Sequence, residues 1–327
     1  MACVNPNVDI IKEYIVKYPN LYKLSLAKLI FAENPGVFKS VENIRCTIRY
    51  YYNELGVVQR RKVKSFVPPS FFSQIYPTPD TPQPPLHYSE GKALIICDIH
   101  GHKHHPMLRD FIQYGKEQGC NMIILNGDVV DNEELSRWPQ TKRLKPWQEE
   151  VTLMQELLTD ISDLFKNDIK VYKKGNHEIW WDRELWKMPK LMSNDVVADR
   201  LKFEDVLLLP ELGYKVVEDR SVIELGKLLI VHGHESKRGG QYIAKSTLEY
   251  YKRDVAFGHF HRIDFAKFDI YGCETIRAYG LPCARDLNAG YMGINNQWTA
   301  GFAICEFTEK DYEMNVYAVK GDTFKRV

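Results

Sequence analysis

Five short segments of the chain bring together histidine, carboxylate and amide side chains. They read CDIH, NGDVVD, GNHE, VHGH and GHFH, and nine of the ten histidines lie in or just after them. Imidazole nitrogens combined with carboxylate and amide oxygens suit Mn²⁺, Fe²⁺, Zn²⁺ or Ni²⁺. The sequence contains no C-x-x-C pair, the pattern that is typical of a structural zinc site. Each segment alone is more often a turn or a cap than a ligand. All five together favour a metal site.

Each of these segments follows a short β-rich run. The runs are KALIIC, NMIILN, IKVYKK, KLLIVH and DVAFGH, and helical stretches separate the first three. This alternation predicts an α/β domain built from βαβ units, in which the carboxyl ends of neighbouring strands meet in one crevice. Residues far apart in sequence can therefore share one site. One carboxylate between two sets of ligands could bridge two ions, and such a pair would clamp a phosphoryl group and generate a hydroxide nucleophile.

The ordered set D-x-H, G-D-x-x-D, G-N-H-E, H-G and G-H-x-H resembles that of the calcineurin-like metallophosphoesterases over residues 91–307. The resemblance implies an α/β fold, a four-layer αββα sandwich with a two-metal site at the strand ends. It also implies a ligand set for two divalent ions, with Mn²⁺ expected first and Fe²⁺, Zn²⁺ or Ni²⁺ as alternatives. The implied ligands of the first ion are Asp98, His100, Asp128 and His261, while Asp128 would bridge to a second ion held by Asn176, His232 and His259.

The resemblance further implies roles for two residues that are not ligands. A hydroxide between the ions would attack phosphorus, and His177 would protonate the leaving group or clamp the phosphoryl oxygens. Asp131 would orient neighbouring groups. Candidates near the substrate are Arg183, Arg262 and His234, although a solvated surface role is equally compatible with either arginine. Trp180 and Trp181 either line the cleft or divide between core and surface.

We predict that residues 65–90 form a linker, because seven of the sixteen prolines lie in this part of the chain and proline removes backbone donors. We predict that residues 1–64 form a small all-α domain of three short helices and that residues 91–327 form the phosphoesterase domain. The first 64 residues contain eleven Lys or Arg and five Asp or Glu, a charge of +6 in a chain of net +1. We expect a helix-turn-helix-like module that binds DNA or RNA through Arg45 and Arg49. A basic helical appendage that packs on protein is the alternative.

Composition supports a soluble globular protein without a membrane segment. The 327 residues are 44% hydrophobic, no run approaches the length of a membrane helix, and the N-terminus lacks a signal-peptide pattern. Seven widely spaced cysteines favour reduced thiols, so we expect a cytoplasmic protein, bacterial or from a phage-infected host. The oligomeric state is left open.

The expected reaction is hydrolysis of a phosphodiester in nucleic acid or a nucleotide. Related protein phosphatases have arginine directly after the second motif, where this chain has Asn132, and nuclease members usually read G-N-H-D where it has Glu178. The segments VHGHESKRGGQ and GHFHR are more similar to phage and bacterial phosphoesterases. The alternatives are a phosphoprotein or phosphomonoester phosphatase, and a non-catalytic DNA-binding scaffold on the same fold.

Overall fold

The structure is a computed structural model. It describes residues 7–19, 21–51, 83–136, 146–193, 195–236, 241–269, 272, 274–288 and 296–327. The chain divides into two compact units, residues 1–81 and 82–327. Most of the predicted linker, 65–82, and the end of the predicted helical domain, 52–64, lie outside the described residues.

The first unit contains the three expected helices: α1 (Val8–Lys17), α2 (Lys23–Glu33) and α3 (Val41–Tyr51). Apolar side chains recur at helical spacing and bury one face of each helix in a shared core of Ile11, Ile15, Leu26, Ile30, Ile44 and Ile48. The N-terminus of α3 is capped by Ser40, whose hydroxyl accepts the Asn43 N–H at 3.2 Å. The identity of this unit as a helix-turn-helix module stays a prediction.

Among its described residues, the second unit contains two sheets, of which the first has seven strands in the order β13-β12-β11-β2-β3-β4-β5. Strands β2 to β5 are parallel, whereas β11, β12 and β13 continue the sheet in antiparallel pairs. All five residues of β3 are buried, as expected of a central parallel strand covered on both faces. The strands are β2 (Gly91–Ile96), β3 (Met122–Asn126), β4 (Ile169–Lys173), β5 (Tyr214–Val217), β11 (Gly301–Phe307), β12 (Tyr312–Lys320) and β13 (Thr323–Arg326).

The other six strands form a second sheet in the order β1-β6-β7-β8-β10-β9. Its central strands β7 and β8 are parallel, and β8 pairs in parallel with β10. The strands are β1 (Leu86–Tyr88), β6 (Ile223–Leu225), β7 (Leu228–Val231), β8 (Val255–Phe257), β9 (Asp264–Phe268) and β10 (Ile276–Gly280).

Strand β1 corrects the predicted linker at its C-terminal end. Residues 86–88 pair in parallel with β6 along the edge of the second sheet. The prolines end at Pro85, so backbone donors are available from Leu86 onward, and the side chains of Leu86 and Tyr88 pack against the core between the sheets.

The two sheets face each other across an apolar core, and helices cover their outer faces. Ile95 and Ile124 from the first sheet meet Ile230 and Ala256 from the second in this core. Helices α4 (Leu108–Glu117) and α5 (Trp147–Leu164) pack on the outer face of the first sheet, and α10 (Ile243–Tyr251) on that of the second. The predicted four-layer sandwich is therefore confirmed.

The described part of the second unit also contains four further α-helices, α6 (Glu178–Trp186), α7 (Pro189–Met192), α8 (Asp195–Arg200) and α9 (Phe203–Val206), and two short 3₁₀ helices, Gly101–Lys103 and Glu133–Leu135. Among the described residues, no helix is long and apolar enough to cross a membrane.

Candidate metal centre and active site

All five polar segments lie at the carboxyl ends of strands. Asp98 and His100 follow β2, Asp128 follows β3, and Asn176 with His177 follows β4. The second sheet contributes the remaining residues, because His232 follows β7 while His259 and His261 follow β8. Parallel neighbours within each sheet place these ends side by side, and the stacking of the two sheets brings both sets together.

The side chains form three overlapping groups whose potential ligand atoms lie within 4.8 Å of one another. Asp98 and His261 share a group with His100, whereas His232 and His259 share one with Asp128. The third group joins His100 and Asp128 to His177. The grouping thus runs from one predicted ion position to the other, with Asp128 in the last two groups.

Distances between predicted ligand atoms are short on both sides of the site. The facing Nε2 atoms of His100 and His261 are 3.1 Å apart, and His261 Nε2 is 3.3 Å from Asp98 Oδ1. On the other side, His232 Nε2 is 3.2 Å from Asp128 Oδ2 and 3.3 Å from Asn176 Oδ1. Each of the seven predicted ligands therefore lies close to at least one other. Six of them belong to the three groups, and the seventh, Asn176, contacts His232.

Hydrogen bonds on the far side of two rings orient their nitrogens. His100 Nδ1 lies 2.8 Å from Asp131 Oδ1, and His232 Nδ1 lies 2.9 Å from the Asn126 carbonyl oxygen. A carbonyl oxygen only accepts, so the His232 Nδ1 carries hydrogen and its Nε2 presents a lone pair to the site when the ring is neutral. Such outer hydrogen bonds are typical of metal-binding histidines.

The donor set fits divalent cations. The buried Nδ1 of His259 has no hydrogen-bond partner among the described residues, which suits a nitrogen available to a metal. Burial lowers the pKa of His100 to about 4 and that of His259 to about 3, so both imidazoles are neutral at physiological pH, as metal binding requires.

Asp128 and His232 form a charged pair at the centre of the site. Burial alone would raise the pKa of the Asp128 carboxyl, but His232, together with His177 and His100, holds that pKa well below the usual range. Burial would lower the pKa of His232, whereas Asp128 raises it to about 10. A cation here would take the place of the imidazolium proton.

His177 is oriented by the backbone. Its Nδ1 donates to the Asp131 carbonyl oxygen at 2.6 Å, which leaves Nε2 on the side of the site, 3.8 Å from Asp128 Oδ2. The ring packs tilted against Trp180, with centroids 4.1 Å apart. Asp131 accepts from His100 and from the ammonium of Lys103, so it joins both histidines to one loop.

The backbone of the site is held in unusual conformations. Eight non-glycine residues among those described have positive φ, and five of them are predicted metal ligands: Asp98, His100, Asp128, His259 and His261. This left-handed region is costly for side chains other than glycine and is enriched at functional sites. Surrounding contacts must therefore stabilise these turns.

Two buried glutamates stabilise the turns, and only the second of them lies in one of the five segments. Glu150, on α5, accepts backbone N–H groups of Asp131 and Asn132. Glu178, at the start of α6, accepts the N–H of Asp128 at 3.0 Å, of Val129 at 2.8 Å and of Gly175 at 2.7 Å. Helical periodicity could have identified Glu150, since it occupies the buried face of an amphipathic helix.

The predicted substrate contacts differ in their surroundings. Arg262 Nη1 donates to Gln297 Oε1 at 2.5 Å, and its Nη2 lies 3.8 Å from Asp264. His234 lies beside the second group, with its ring 5.4 Å from that of His232 and its Nε2 3.7 Å from Asp219. Arg183 is exposed on α6. Arg262 directly follows the predicted ligand His261, and His234 lies two residues after the predicted ligand His232. The structure shows no role for any of the three residues.

The comparisons with known proteins agree with this geometry. The profile of the calcineurin-like phosphoesterase family matches residues 91–268, more than half of the chain. No curated protein matches it. Similar solved structures include a Vps29 mutant from Entamoeba histolytica, 13% identical, covering 72% of this chain and 98% of that one with a TM-score of 0.39. The phosphoesterase Yfce of E. coli is 14% identical, covers 72% and 98%, and has a TM-score of 0.37.

A third solved structure, of a novel archaeal phosphodiesterase, is 16% identical and covers 69% of this chain and 99% of that one, with a TM-score of 0.37. The family match, together with the grouped histidines and carboxylates at the strand ends, decides the assignment. This chain belongs to the calcineurin-like phosphoesterase family and is a hydrolase acting on phosphoric ester bonds.

Proposed function

We propose that the chain is a phosphodiesterase that uses two divalent cations, with Mn²⁺ as the first expectation, to hydrolyse a phosphodiester of nucleic acid or a nucleotide. The observation that carries the proposal is the continuous set of buried and partly buried imidazole and carboxylate groups, with Asp128 in two of its three groups. Fe²⁺, Zn²⁺ or Ni²⁺ would suit the same donors.

The first cation would be held by Asp98, His100, Asp128 and His261, and the second by Asp128, Asn176, His232 and His259. When bound, the pair would neutralise phosphoryl oxygens and lower the pKa of water for attack on phosphorus. The hydrogen bonds of His100 to Asp131 and of His232 to Asn126 hold their rings in place for this role.

His177 is the proposed general acid. Its Nδ1 is occupied by the Asp131 carbonyl oxygen, so only Nε2 can deliver a proton to the leaving oxygen or donate to a phosphoryl oxygen. Asp131 acts through others, because its carboxylate orients His100 and its carbonyl orients His177. Arg183, Arg262 and His234 are proposed to contact the substrate, with Arg262 and His234 favoured by their positions beside ligands.

The surroundings of Asn132 favour a diester over a phosphoprotein substrate. Its side chain is buried, donates to the His177 carbonyl oxygen at 2.9 Å and accepts from the Trp147 indole at 2.8 Å. This amide is committed to the scaffold and cannot bind phosphate as the arginine of the related protein phosphatases would. A phosphomonoester phosphatase and a non-catalytic scaffold remain the alternatives.

The test is hydrolysis of bis-p-nitrophenyl phosphate and of the monoester p-nitrophenyl phosphate, with Mn²⁺ or with EDTA. We expect Mn²⁺-dependent turnover, faster on the diester, and its loss in Asp128→Asn, because the amide removes a charge shared by both ions. Preference for the monoester would support the phosphatase alternative. Absence of turnover on both esters with each of the four candidate metals would support the scaffold.

A further inference from the structure

Two tryptophans lie at the ends of a row of ring contacts that passes through the site. The ring of Trp180 is 4.1 Å from that of His177, which is 4.7 Å from His100. The row continues from His100 to His261 at 5.0 Å and from His261 to Trp298 at 4.5 Å. The proposed general acid and two proposed ligands thus lie between the two indoles.

The indole of Trp298 is held by a buried cation. The Arg285 guanidinium carbon lies 4.9 Å from the ring centroid, and Arg285 is only 3% exposed. A cation over an aromatic face attracts the ring and limits its motion. Trp298 itself is only partly buried, so part of this residue remains accessible to solvent.

Trp180 and its neighbour Trp181 have different packing partners. Trp181 packs on the core, stacks on Trp147 and donates to the Leu201 carbonyl oxygen at 2.8 Å. Neither Trp180 nor Trp298 belongs to a hydrophobic core of the described residues, and both are partly buried. Each of them packs against a histidine of the site, a contact that a core role does not require.

We propose that Trp180 and Trp298 stack on the nucleobases that flank the scissile phosphate, one base on each side. This inference rests on the proposed phosphodiesterase function and narrows its substrate to a diester with an unpaired base on either side. Base–aromatic stacking tolerates any base sequence and contributes about 1 to 3 kcal/mol per base. Paired bases in a duplex already stack on each other, so accessible bases are the chemistry that these indoles recognise.

The experiment uses the full chain with Mn²⁺ and four substrates: thymidylyl-thymidine, the two dinucleotide analogues with one abasic position, and the analogue with both positions abasic. In the wild type, each base should raise kcat/KM by about 5- to 140-fold, the equivalent of 1 to 3 kcal/mol. Trp298→Leu should abolish the effect of one base, and Trp180→Leu that of the other. Ratios within one variant are compared, so a general loss of activity cancels.

Trp186→Leu is the matched control, since Trp186 lies on the same helix as Trp180 and is 67% exposed. It should keep both ratios. Trp298→Phe and Trp180→Phe, which retain a ring, should keep most of the base effect and separate lost stacking from misfolding. Hydrolysis of the fully abasic analogue with unchanged ratios in both leucine variants would overturn this inference alone. Failure of the wild type on all four substrates would overturn the proposed function as well.

Discussion

His177 shows how one backbone contact can decide the role of a side chain. An imidazole has two nitrogens, and the Asp131 carbonyl oxygen takes the hydrogen of Nδ1. The remaining nitrogen points to the side of the site, 3.8 Å from an Asp128 oxygen. We therefore expect this ring to deliver a proton rather than to bind a metal ion.

We predict that His177→Ala lowers kcat on bis-p-nitrophenyl phosphate by about 10²- to 10⁴-fold, the usual contribution of a general acid. Bound metal, measured by elemental analysis, should stay at the wild-type level because His177 is not a proposed ligand. His87→Ala is the control, since His87 pairs with Glu224 and Glu309 on strand β1. Unchanged turnover in His177→Ala would refute the assignment.

Glu178 explains a departure that the sequence alone left unexplained. Its buried carboxylate accepts backbone N–H groups from the loops after β3 and β4 and the hydroxyl of Tyr172 at 3.0 Å. The longer glutamate side chain thereby joins two ligand-bearing loops. The residue next to the proposed general acid thus stabilises the two loops through buried hydrogen bonds.

Glu178→Gln should lower the free energy of unfolding by about 1 to 3 kcal/mol, because the amide has one acceptor oxygen in place of two and leaves buried N–H groups unpaired. Thermal or urea unfolding measures the loss. Glu184→Gln on the same helix removes only a partly exposed pair with Lys187 and should change stability by no more than about 1 kcal/mol. Equal losses in the two variants would contradict the proposed support.

At the scale of the elements, the turns after the strands decide how closely the motifs approach one another. Gly127, between β3 and Asp128, has φ +83°, and a β-carbon there would collide with the His232 ring. The two residues come from different sheets. Glycine therefore allows the two sheets to bring their histidines and carboxylates within 4.8 Å of one another.

Gly127→Ala should cost more stability than backbone strain alone and should also weaken Mn²⁺ binding, because the His232 ring must move. Gly119→Ala is the matched control: Gly119 has φ +78° and open space around the added carbon. It should cost only the strain of a left-handed residue, about 1 to 2 kcal/mol. Calorimetric titration with Mn²⁺ and thermal unfolding compare the two, and identical Mn²⁺ affinities would show that the close approach is not required.

At the scale of the whole molecule, charge is distributed unevenly along the chain. Residues 1–64 have a net charge of +6, which leaves −5 for the remainder. In the first unit, Arg45 pairs with Glu42 through two contacts of 2.7 Å, so its guanidinium is already partly neutralised. Binding of DNA or RNA through Arg45 and Arg49, and the phage or bacterial origin that accompanies it, stay predictions.

If this unit binds nucleic acid, the full-length double variant Arg45→Gln/Arg49→Gln should weaken binding of double-stranded DNA. The slope of log K against log salt should fall in magnitude by up to about 1.8, or about 0.9 for each lost phosphate contact. Arg326→Gln, which removes a cation paired with Glu313 in the second unit, is the control. Hydrolysis of the small diester should be the same in all three proteins, and an unchanged slope would favour a protein-packing role.

The sequence by itself was sufficient for the order of the strands that carry the motifs and for the types of the candidate ligands, while its resemblance to a known family implied the four-layer fold. Local patterns contain this information, because buried strands read as apolar runs and each ligand segment follows such a run directly. The helices of the first unit were predictable for the same reason. Strand β1 was missed because three residues after a proline-rich stretch make too short a pattern.

Only the tertiary structure decided which side chains meet. Glu150 and Trp298 lie outside all five segments, and nothing in their local sequence reveals that they reach the turns or His261. The contact between Gly127 and His232 depends on the stacking of two sheets, a relation between distant parts of the chain. Ligand type is a local property of residues and their spacing, whereas orientation, stacking and support arise from packing across long sequence separations.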